Sequence, residues 1–167
     1  PVPEKFDLAA LPNKTVSVFV AEAGPTKLAA GDSYAAVVSQ IRMAIKAWNE
    51  VEFSELRVAF GGLFSPGTLQ TTPHIGVVFD DVPGVLARCA PVARQEAVTP
   101  PNGPAYVPIV ASTCILNRDI SQRPSYGEAF FLTTVHELGH ALGLQHTLTS
   151  SVMSTELTRA TTRATPL

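Results

Sequence analysis

Three of the chain's four histidines fall in one short span, "TTVHELGHALGLQHTLTSSVM", from Thr133 to Met153. His136 and His140 are four residues apart, so on a helix their imidazoles stand one above the other and point at a common spot. Neutral imidazole is a good zinc ligand, and two on one rigid turn form a clamp. Glu137 sits beside that clamp, where its carboxylate can act on a water at the metal without ligating it. Gly143 suits the left-handed residue that ends many helices, and such a turn would bring His146 back as a third ligand. Three histidines leave a fourth tetrahedral position open, as in catalytic zinc sites. The plainer alternative is a buried structural cluster of histidines. HExxH alone is a weak signal, and the added glycine and third histidine narrow it. His74 stands alone at the start of a strand-like run and reads as an ordinary surface or turn residue.

Regular elements must hold these residues in place. "RPSYGEAFFLTTVHELGHALG" reads as the helix carrying the histidines, with Phe131, Val135, Leu138 and Leu142 on its core face. "GDSYAAVVSQIRMAIKAWNEV" reads as a second long helix capped by Asp32 or Ser33, with Val37, Ile41, Ala44, Ile45 and Trp48 at helical spacing. "KTVSVFVAE" alternates as a strand, and "LRVAFGG" and "HIGVVFDD" are strand-like runs between Gly and Pro. "VLARCAPVA" and "YVPIVASTCIL" are further extended candidates, whose prolines argue for edges or bends.

The 167 residues fit one domain, read as 1–167, with no repeat or linker to divide it. With 46% hydrophobic and 16% charged residues the composition is globular. The net charge of -2 and the lack of a basic stretch argue against a nucleic-acid partner. No apolar run is long enough for a membrane helix. The start "PVPEKFD" is not a signal peptide, and a trimmed start is expected. The polar end "TTRATPL" suggests continuation beyond Leu167.

"HELGHALGLQH" followed by Met153 in "SSVMS" resembles the metzincin signature residue for residue. The short gap from His146 to Met153 is similar to the matrixin branch, the matrix metalloproteinase-like group. "AIKAWNEVEFSELRVAF", "HIGVVFDD" and "GVLARCAPV" also resemble matrixin segments, the last one the edge strand that binds substrate. The resemblance spans Lys14 to Met153. It implies an α+β zincin-like fold: a twisted five-stranded mixed sheet with an antiparallel edge strand and two long helices, the zinc cleft running along that edge. Met153 would lie in a tight turn beneath the metal, packing as a core methionine does. Leu86 and Ala87 would hold substrate, an extended peptide lying antiparallel along the edge. Cys89 and Cys114 fall on strands that neighbour each other in such a fold, so the resemblance implies a disulfide between them, the alternative being two buried free thiols.

The chain departs from the pattern in places. "MST" follows where matrixins have Tyr-Pro after the methionine, so small Ser154 and Thr155 suggest a roomy specificity pocket. Only His74 remains once three histidines are used, too few for a second, structural zinc. Asp80, Asp81 and Asp119 could join a calcium site, although acidic pairs in loops are usually just solvated. The expected function is a secreted, monomeric zinc endopeptidase acting on protein or peptide substrates, with Glu137 as general base. The alternative is a zinc-containing binding module or inactive domain without turnover.

Overall fold

A computed structural model describes residues 1–52, 54–65, 67–68, 70–148, 151–155 and 167. Six strands and two helices follow in the order β1 (Glu4–Lys5), β2 (Thr15–Ala21), α1 (Tyr34–Asn49), β3 (Arg57–Phe64), β4 (His74–Asp80), β5 (Ala87–Ala93), β6 (Val107–Asn117) and α2 (Glu128–Ala141). β3, β2, β4 and β6 lie side by side and parallel. β5 joins the far side of β6 antiparallel. The alternation expected for β2 is seen in its burial, with Val16, Val18 and Val20 fully enclosed. α1 packs on β3, α2 packs on β5 and β6, and the helices touch each other. They therefore cover one face of the sheet, and the apolar sides of β2 and β4 meet α1 through Val37, Ile41, Ala44 and Ile45.

Two expectations change. The sheet has six strands rather than five, because Glu4 and Lys5 pair parallel with Val107 and Pro108. Two residues are too few to show a period in the sequence. The proline in "YVPIVASTCIL" does not put that strand at an edge either. β6 is the longest strand and lies between β4 and β5. Pro108 precedes the stretch where β4 pairs, which begins at Ala111, and needs only its carbonyl, which accepts from the Arg94 amide at 2.9 Å.

Ser33 is the N-cap of α1, its hydroxyl accepting from the Ala36 amide at 3.1 Å. Asp32 does a different job. Its carboxylate accepts from the Ser125 amide at 2.8 Å and the Ser125 hydroxyl at 2.6 Å, tying the start of α1 to the approach to α2. Burial alone would raise this carboxyl, but the bonds from Ser125 and from the Ser33 amide outweigh it and hold the group below its ordinary 3.8. A lowered native value means stability that is present above the unfolded value and lost as pH falls through the native one. Asp32→Ala should therefore cost about 2 kcal/mol at neutral pH. Denaturant unfolding should show the gap to the parent chain closing below pH 3.8.

Candidate metal centre

α2 ends in a Schellman turn. The Leu144 amide donates to Gly139 O and the Gly143 amide to His140 O, both at 2.9 Å, with Gly143 at φ 99°. A side chain at Gly143 would also run into the Glu4 carbonyl of β1, so both the dihedral and the space require glycine. The turn reverses the chain and returns His146 to the helix. The Nε2 atoms of His136, His140 and His146 then stand 3.1–3.2 Å from one another. Three nitrogens about 2.0–2.1 Å from one tetrahedral zinc would be roughly 3.3 Å apart, so the cluster has the right size.

The ring tautomers point the same way. His136 Nδ1 donates to the Val152 carbonyl at 2.6 Å, and His140 Nδ1 to the Leu144 carbonyl at 2.8 Å. A carbonyl can only accept, so each Nδ1 carries the proton and each Nε2 of the neutral ring presents a lone pair. Burial pushes the His136 imidazole below its ordinary value, outweighing the bond to Val152, which favours the charged ring. Lone pairs aimed at one another across this distance call for a cation between them, and the carbonyl partners supply the orienting shell that zinc histidines use. Among the described residues these three form the one group of His, Cys, Asp or Glu gathered for a metal.

Glu137 reaches the other way round the helix. Its Oε2 accepts from the Cys89 amide of β5 at 2.8 Å, while Oε1 lies 4.0 Å from His136 Nε2. One oxygen is anchored on the sheet and the other faces the histidines.

Met153 is buried against Gly139 of α2, and its carbonyl accepts from the Thr147 amide at 3.0 Å. The room for it comes from Gly139, which the sequence reading passed over. A Cβ on Gly139 would run into Met153 Sδ and come within 2.9 Å of Trp48 Cζ2. Trp48 is itself fixed, its Nε1 donating to the Val135 carbonyl at 2.7 Å. Glycine inside a helix usually signals weakness, and its spacing before His140 was the only available hint. Gly139→Ala should cost about 1–3 kcal/mol by overpacking, read by thermal unfolding of the apo chain.

The disulfide joins Cys89 to Cys114, which are direct partners across β5 and β6. The two expected substrate contacts fare differently. Leu86 is buried, and its carbonyl accepts from the Asn117 amide at 2.7 Å, so that group is spent inside the sheet. Ala87 opens β5, and because Leu86 bonds Asn117, the antiparallel register turns the main-chain groups of Ala87 the other way. The calcium suggestion finds no gathered carboxylates among the described residues: Asp81 pairs with Arg118 at 2.6 Å, Asp119 accepts from Ser121, and Asp80 caps the Asp81 amide. His74 rests on the Thr72 carbonyl and the Phe19 ring, away from the metal centre. Ser154 follows Met153 into a bridge with Thr147, and most of the expected pocket wall after Thr155 lies outside the described residues.

Residues 27–167 match the family model described as Matrixin. No curated protein matches the chain.

Proposed function

The chain belongs to the matrixin family, and from that premise we propose that it is a zinc-dependent endopeptidase with Glu137 as general base. The observation that carries the reading is the pairing of three converging Nε2 atoms with a carboxylate whose free oxygen lies 4.0 Å from one of them. Zinc, when bound, supplies a Lewis acid that polarises a carbonyl and lowers the pKa of water. His136, His140 and His146 would hold it, with the carbonyls of Val152 and Leu144 fixing the first two rings.

Glu137 takes the proton of the attacking water at Oε1 and later delivers it to the leaving amine. Its bond to the Cys89 amide keeps the carboxylate from swinging to solvent, so the base is already positioned when substrate arrives. The outer edge of β5 has no strand beside it among the described residues, and an extended peptide can add there as a further strand. Protein or peptide substrates, a monomeric enzyme and an extracellular setting complete the reading. The disulfide supports export, and no described helix is long and apolar enough to cross a membrane.

The test is digestion of casein and of a mixed peptide library. The zinc-loaded protein should cleave both, a chelator should stop cleavage, and added zinc should restore it. Full zinc occupancy without any cleavage would instead leave a binding module without turnover.

A further inference from the structure

The outer edge of β5 is chemically one-sided. Cys89 and Cys114 face each other with Cα atoms 4.0 Å apart. That is the closely spaced antiparallel pair, whose two residues exchange no main-chain hydrogen bonds. The Leu86 carbonyl, bonded to Asn117 of the neighbouring chain segment, has the opposite parity and agrees with this register. Ala87, Cys89 and Pro91 therefore turn their main-chain groups away from β6, while Leu86, Arg88 and Ala90 turn theirs towards it. Of the outward groups, the Cys89 amide is already given to Glu137. Pro91 has no amide hydrogen at all. From Cys89 to Pro91 the edge offers carbonyl oxygens and no donor, whereas Ala87 offers both.

We propose that this acceptor-only stretch selects substrates by their backbone N–H groups on the N-terminal side of the scissile bond, with Pro91 and the Glu137–Cys89 bond as the determinants. The inference rests on the endopeptidase reading and on a substrate strand lying antiparallel to β5. In that direction the residues upstream of the reacting bond face Cys89 and Pro91. Their N–H groups meet the two free carbonyls, and their own carbonyls find no strand donor. Proline or any N-alkylated residue at either paired position is rejected. The disulfide locks the register on which all of this depends, since a slip of one residue would turn the other set of groups outward.

An ester scan tests the proposal with the full zinc-loaded chain. One backbone amide at a time, upstream of the cleaved bond in a good peptide substrate, is replaced by an ester, which removes the N–H without adding bulk. Two positions, two residues apart, should each lose about tenfold in kcat/KM, and the amide between them should change less than about twofold. Pro91→Ala restores a donor and should raise kcat/KM about fivefold on the parent peptide, with zinc content and circular dichroism unchanged. The same series read as competitive binding separates this proposal from the activity: a parent peptide that binds without being cleaved would sink the endopeptidase reading while the pattern still decides the edge. A flat scan, equal losses at consecutive amides, no gain in a folded Pro91→Ala, or no peptide binding at all would overturn the acceptor-only edge.

Discussion

Glu137→Gln should keep its zinc and lose peptide hydrolysis by at least about 10²-fold. The amide has the carboxylate's shape, so its oxygen can still accept from the Cys89 amide, and the side chain stays where the structure places it. What disappears is the ability to take a proton, because a carboxamide is not a base near neutral pH. The metal is held by rings whose orienting bonds go to Val152 and Leu144, neither of which involves Glu137. Zinc content and turnover are therefore expected to separate. Metal analysis alongside kcat on one peptide measures both. Activity near that of the parent would remove Glu137 from the role of base, and loss of zinc would mean that it also supports the metal.

His140→Ala should weaken zinc binding by more than about 100-fold, beyond the loss seen when an outer partner of a metal ligand is removed. Two effects add. One of three nitrogens is gone, and the bond that tied the ring to the Leu144 carbonyl at the end of α2 goes with it. His146→Ala is the cleaner companion, because His146 is exposed and its loss leaves the core packing intact. The parent chain, purified without chelator or reconstituted, should carry about one equivalent of zinc, and thermal stability should rise on loading. A metal content that is unchanged in both variants, or near zero in the parent after reconstitution, would dismiss the three-histidine centre.

The cluster of three histidines was legible in the sequence because the elements that gather it are local. His136 and His140 meet through the period of one helix, and Gly143 marks the left-handed residue of the turn that returns His146. Eleven residues, from His136 to His146, bring the three rings together, and the Val152 carbonyl that orients His136 lies a few residues further on. The strands of the main sheet and both helices were legible for a related reason, since their apolar periods of two and about 3.6 residues are written along each segment.

Tertiary structure decided the rest. Whether Leu86 or Ala87 offers its main chain to a substrate depends on which residue of β6 stands opposite, and that register is set by pairs such as Cys89 and Cys114, 25 residues apart. Family resemblance named the pair, and only the register could divide it. Gly139 looks in the sequence like a weak point in a helix. It becomes necessary when Trp48 of α1 and Met153, from beyond the turn that ends α2, arrive at the same spot. β1 is too short to show a period and exists only because β6 extends past β4 to receive it. Helix spacing and turn dihedrals act over a few bonds, so a sequence carries them directly. Strand facing and close packing are relations between distant segments, and they take a definite value only once the chain has closed on itself.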